Sequence, residues 1–184
     1  MKHILSAAAL AIALAMAPGA HAAMMVLGAG TARECYEAAR DQRHGASALQ
    51  ACNSALNDDI LDSHNRAATL INRGILYQHR HDYENAIADF DAAIRIQPRM
   101  AEGYTNRGAA LVAKENYGDA IASLNQALAL QPAEPAMAFY NRAIAHEELG
   151  DISEAYEDYG RAAALAPDWT WPRRELARFR VEQR

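Results

Sequence analysis

Residues 67–98, AATLINRGILYQHRHDYENAIADFDAAIRIQP, carry the pattern on which the reading of this chain turns. They form two amphipathic stretches of helical periodicity around the polar break His79-Arg80-His81-Asp82. The arrangement then returns. Gly74, Ala86, Phe90, Ala93 and Pro98 recur 34 residues later as Gly108, Ala120, Leu124, Ala127 and Pro132. A third copy follows one residue late, with Ala143, Ala155, Tyr159, Ala162 and Pro167, the extra residue falling in QPAEP at 131–135. A fixed period of this size means stacked supersecondary units, each burying its apolar face on the next, in place of one globular core.

The recurring residues are Leu70, Gly74, Tyr77, Ala86, Phe90, Ala93 and Pro98 in the first copy. They are Tyr104, Gly108, Leu111, Ala120, Leu124, Ala127 and Pro132 in the second. The third keeps Phe139, Ala143, Ala155, Tyr159, Ala162 and Pro167 but has His146 where an aromatic or aliphatic residue is usual. This pattern resembles the tetratricopeptide repeat, a helix–turn–helix unit with small residues where its helices touch. The resemblance covers 67–168 and implies an all-α fold, a right-handed α-solenoid of antiparallel helix pairs in units 67–100, 101–135 and 136–168. Glycine inside a helix costs roughly 1 kcal/mol against alanine, so one that recurs in register predicts a close helix–helix contact.

The chain starts with Lys2 and His3, an apolar run from Ile4 to Ala17, and the small-x-small site Ala20-His21-Ala22. This is the pattern of a secretory leader, 1–22, removed near Ala22. The run falls short of the ~20 residues of an ordinary membrane span, although a retained anchor is the alternative. No cysteine sits at the cleavage point, which argues against a lipid anchor. The expected location is therefore periplasmic or secreted, with no stable membrane insertion after cleavage. The Gram-negative part of that expectation leans on the family resemblance and the bacterial look of the leader.

Export changes the reading of Cys35 and Cys52, the only two cysteines. An oxidising compartment permits a disulfide. Thr31 to Glu34 has capping-box spacing, predicting a helix to about His44; Gly45 breaks it and Ala46–Asn57 forms a second. Ala48, Cys52 and Ala55 carry the offsets of Ala86, Phe90 and Ala93, so 23–66 reads as a degenerate repeat and its connector. Antiparallel neighbours would bring the cysteines face to face, giving a structural disulfide or two buried free thiols; the spacing is not Cys-x-x-Cys. The polar stretch 57–66 lacks the glycine and distal glutamate of an EF-hand loop, leaving helix capping and a solvated turn.

Within the repeats the triplets Asn72-Arg73-Gly74, Asn106-Arg107-Gly108 and Asn141-Arg142-Ala143 are the most informative polar feature. Arg73 and Arg142 precede Asp89 and Asp158 by 16 residues, predicting ion pairs inside a unit. Ser123 takes that place in the middle unit, so Arg107 needs another partner, Asp89 being a candidate. Stacking would set Asn72, Asn106 and Asn141 in a row on the concave face. An amide offers donors and an acceptor together, suited to the backbone of an extended peptide. Some tetratricopeptide superhelices hold peptides on such a row, and this chain looks similar. The competing reading is that each amide bonds only to its own helix neighbourhood or to water.

Flanking candidates are Ala68, Ile71, Ile75, Gln78 and His79 in the first unit, Glu102, Thr105, Ala109 and Val112 in the second, and Met137, Tyr140, Ile144 and Glu147 in the third. Of these Ile71, Ile75, Thr105, Ala109, Tyr140 and Ile144 join the asparagines as the expected peptide-binding set. Family members that clamp a C-terminal carboxylate use basic residues at sites that here hold Ala68, Ile71, Glu102, Thr105 and Asn106. An apolar or amphipathic segment, extended or helical, is the expected partner.

Residues 169–184 are expected to form a capping helix, with Pro172 in its first turn and Trp169, Leu176 and Phe179 covering the open end. The chain has 184 residues and a net charge of −5, which speaks against nucleic acid. No phosphate loop, His-Glu-x-x-His or nucleophile-elbow serine is present. His44, His79 and His81 are the best metal candidates, and adjacent turn histidines are ordinarily solvated. The sequence thus points to a non-catalytic protein-binding module without cofactor or metal. A structural subunit docking through its convex or capping surface stands second, and a thiol- or metal-dependent enzyme third.

Overall fold

The structure, a computed structural model, describes residues 3–7, 23–26, 30–43, 45–58 and 60–183. Four antiparallel hairpins follow one another: α1 (Thr31–Arg40) with α2 (Ala46–Asp58), α3 (Ser63–His79) with α4 (Tyr83–Ile96), α5 (Ala101–Ala113) with α6 (Tyr117–Ala129), and α7 (Pro135–Leu149) with α8 (Ile152–Leu165). A short helix α9 (Thr170–Leu176) closes the stack. Strand β1 (His3–Ala7) pairs antiparallel with β2 (Phe179–Gln183), His3 opposite Gln183 and Ala7 opposite Phe179. The architecture is the expected all-α solenoid.

The recurring glycines are there for contact. A Cβ on Gly74 would stand 2.5 Å from the Phe90 ring, and one on Gly108 2.5 Å from Leu124. Each anchor therefore sits in the notch that its glycine leaves. In the first hairpin Cys35 and Cys52, both fully buried, are bridged with Cα atoms 4.7 Å apart. A covalent link takes the place of the glycine–anchor contact. In the fourth, Ala143 and Tyr159 fill the equivalent positions and are buried.

Arginines tie hairpin to hairpin. Arg73 holds Asp89 through two bonds of 2.7 Å and also reaches Asn53 Oδ1 at 2.7 Å in the hairpin before. Arg142 repeats this with Asp158 and Asn125. Arg107 pairs with Asp91 at 2.7 Å, not with the expected Asp89. Both Asp89 oxygens are already engaged by Arg73. Asn53, Asp91 and Asn125 each directly follow an anchor residue, so a single register position receives all three arginines.

Three boundaries differ from expectation. The first helix ends at Arg40, short of His44, which lies outside the described residues. α3 begins four residues early at Ser63 because Asp62 caps it, accepting from the Asn65 amide at 2.7 Å. The capping helix stops at Leu176 instead of running through 169–184. Phe-Arg-Val-Glu-Gln alternates apolar and polar residues at the period of a strand, and it takes that form against β1. Of the expected leader 1–22, residues 1–2 and 8–22 lie outside the described part.

Candidate peptide-binding groove

The first helices of successive hairpins touch one another, α1 on α3, α3 on α5 and α5 on α7. The second helices pack forward mainly onto the next first helix, α2 on α3, α4 on α5 and α6 on α7. This asymmetry sets α1, α3, α5 and α7 along the inner side of the stack, where the asparagine row was expected.

Asn72 is fully buried, and its partner is a peptide backbone. The Met24 N–H donates to Asn72 Oδ1 at 2.8 Å, and Asn72 Nδ2–H donates to the Met24 carbonyl at 2.7 Å. One carboxamide thus satisfies both backbone groups of one residue, 48 positions away in sequence. Val26 is buried in a cluster with Ala32, Ala55 and Ala68, whereas Met25 is 61% exposed. Met24 is half-buried against the same cluster. The segment 23–26 therefore reads in, out, in, as an extended chain does. Beside it is a cavity of about 370 Å³, lined by Met24, by Tyr36 and Arg40 of α1, His79 of α3, Glu102 of α5, and Glu134 before α7.

The other predicted residues divide. Asn141 Nδ2 bonds back to the Met137 carbonyl of its own helix at 3.0 Å, and Thr105 Oγ1 does so to Ala101 at 3.2 Å. Asn106 and Ala109 are buried in α5. Ile71 and Ile75 belong to the core shared by the first two hairpins and α5. Tyr140 packs edge-on to Tyr159 and within 4.7 Å of the Trp169 ring centroid, so it serves the terminal cap; burial raises its phenol well above the ordinary range. Ile144 is half-buried between that cap and the α5–α7 core. Asn72 and the wall around it are what the structure brings together with a peptide segment.

Sequence reasoning did not find residues 23–26, which follow the expected cleavage site and are too few for a periodicity to register. It named Gln78 only as a flanking residue. That side chain is 1% exposed, and neither amide atom has a hydrogen-bond partner among the described residues. Nor did it find the cap cluster, where Arg178 joins Glu147 to Glu175 and the Tyr159 hydroxyl donates to Glu147 at 3.0 Å. Burial lifts the Glu147 carboxyl above its ordinary range despite the arginine.

The sequence profile of the tetratricopeptide repeat matches residues 65–133 and again 136–169, together more than half of the chain. The chain belongs to the tetratricopeptide repeat family. Among solved structures, the first such domain of human RPAP3 is similar at 27% identity and a TM-score of 0.59, covering 63% of this chain and 90% of that one. The first such domain of Spaghetti (RPAP3), bound to the HSP90 peptide SRMEEVD, is similar at 27% identity and 0.59, covering 64% and 91%. MamA from Desulfovibrio magneticus RS-1 shares the fold at 23% identity and 0.63, covering 79% and 81%. No curated protein matches the chain. Among the described residues of this tetratricopeptide repeat protein, no helix is long and apolar enough to cross a membrane. No group of three or more His, Cys, Asp or Glu there is placed to hold a metal.

Proposed function

We propose that this protein is a non-catalytic binding module that receives an extended segment of a partner protein on the inner face of its repeats, centred on Asn72. The observation that carries the reading is the two-bond pairing of Asn72 with the N–H and C=O of Met24. Such pairing reads backbone and ignores side chain identity, so the walls must supply preference. The solved relatives support a peptide ligand, since Spaghetti (RPAP3) is bound to SRMEEVD. That peptide is acidic, whereas Glu102 and Glu134 outnumber Arg40 among the charged residues lining the cavity here, which disfavours it. An apolar segment suits this groove better. The protein acts, on this reading, in the periplasm after losing 1–22, on proteins of the envelope; removal of 1–22 would take β1 with it.

A peptide array of extended apolar sequences, probed with the wild type and with Asn72→Ala/Asn106→Ala/Asn141→Ala, tests the function. The expected result is a set of binders lost in the triple variant while its helical circular dichroism is kept. Binders retained in full by a folded triple variant would reject the groove in favour of another surface. Location is tested separately, by N-terminal sequencing of the protein from an osmotic-shock fraction.

A further inference from the structure

The groove at Asn72 is occupied by the chain itself. We propose that residues 23–26 are a built-in competitor: a strap that holds the ligand position and that a partner segment of the same character must displace. This rests on the peptide-binding reading above and names its ligand class and its regulation. The class is an extended chain with apolar residues at alternate positions, the second no larger than valine. The first of these follows from the Met24 bonds and the in–out–in exposure of Met24, Met25 and Val26. The size limit follows from the wall around Val26, where Ala32, Ala55 and Ala68 are buried with it and Tyr36 and Leu61 pack against the cluster. A bulkier side chain would have to push two helices apart.

The geometry suits displacement. The strap's described bonds to the inner face are the pair at Asn72, and its next residue, Met25, faces outward. A partner chain reproduces the pair without any change in Asn72. It can also run on into the cavity beside Met24, which the strap leaves open. With the leader removed after Ala22, Ala23 becomes the terminus and the strap is held to the body at one end only. A strap seated nine parts in ten leaves a tenth of the molecules open, which weakens apparent ligand affinity about tenfold.

The probe is a fluorescein-labelled peptide, Ala-Met-Met-Val-Leu-Gly, copied from residues 23–28 and titrated by anisotropy into the full chain. Met24→Pro removes the N–H that Asn72 accepts and leaves the inner face unaltered. The expected result is binding roughly tenfold tighter in Met24→Pro than in the wild type, the gain vanishing when Asn72→Ala is added. A version of the peptide with tryptophan in place of its valine should bind more weakly. Hydrogen exchange supplies a readout independent of ligand: the Met24 amide should be slow in the wild type and fast in Asn72→Ala. Equal affinity in wild type and Met24→Pro rejects the strap as a competitor and leaves the groove reading standing. A Met24 amide that exchanges freely in the wild type rejects it too. Peptide binding by none of the proteins, with helix content intact, rejects both.

Discussion

At the scale of single residues, two polar side chains shielded from water, Gln78 and Glu147, have consequences for stability. Gln78 is buried, and neither end of its amide has a hydrogen-bond partner among the described residues. An unmade hydrogen bond of this kind costs ~1–3 kcal/mol, and an apolar side chain of like shape removes the cost. Gln78→Met should therefore stabilise the fold by about 1 kcal/mol or more, seen as a higher urea midpoint at unchanged slope. A lower midpoint would mean that the amide is paired in solution. Glu147 gives a prediction in pH. Its carboxyl is raised in the folded protein, chiefly by burial, above the value of about 4.3 expected of an unfolded chain. The native state then binds that proton more tightly than the unfolded state. The resulting stabilisation is full below the unfolded value and is lost as pH rises through the folded one. Glu147→Gln cannot titrate but keeps an acceptor for Tyr159. Relative to that variant, the wild type should gain stability as pH falls from 7 towards 4, measured by urea unfolding at each pH. A gap that stays flat or closes the other way contradicts the burial of Glu147.

At the scale of elements, each hairpin turn has, among the described residues, one in the left-handed region: Gln42, His81, Glu115 and Gly150, with φ of 55°, 59°, 61° and 84°. Only the fourth hairpin uses glycine there. A side chain in this region costs roughly 1 kcal/mol, so Glu115→Gly should raise thermal stability slightly, by up to about 0.5 kcal/mol after the added freedom of the unfolded chain is subtracted. Calorimetry would show a higher midpoint; a drop would mean that Glu115 makes contacts worth more than its strain. The elements also show what could be read beforehand. Gly74 and Phe90 recur together because the ring needs the notch, so their period announced the hairpins. The Arg73–Asp89 and Arg142–Asp158 pairs followed from equal spacing. Arg107 went to Asp91 because the rule concerned the residue after each anchor, and Asn53, Asp91 and Asn125 differ enough in type to hide it. The strand at Phe179–Gln183 was visible in its alternation, but the helical spacing of Trp169, Pro172, Leu176 and Phe179 masked it. Nothing local marked Met24 as a partner of Asn72, because a contact across 48 residues made by backbone atoms leaves no trace in side-chain pattern.

At the scale of the whole molecule, stability in a solenoid is close to a sum of unit and neighbour terms, so a change at one end should be felt locally. The first hairpin is the unit whose own terms are weakest. α1 is only ten residues long, and the anchor place is held by cysteine instead of a large apolar side chain. The bridge compensates: closing 17 residues removes unfolded-state entropy worth ~3 kcal/mol in the chain-entropy model. Outside their own hairpin α1 and α2 pack mainly on α3, so they lean on it but support little beyond it. Reduction, or Cys35→Ala with Cys52→Ala, should therefore cost ~3 kcal/mol in the first hairpin while the α7–α8 hairpin keeps its protection. Val26 packs on Ala32 of α1 and Ala55 of α2, so the strap should loosen with them. Hydrogen exchange before and after reduction distinguishes the cases. Loss confined to α1, α2 and the Met24 amide is expected. Uniform loss along the stack would mean that the array unfolds as one unit, and no loss would mean that packing, not the bridge, holds the first hairpin.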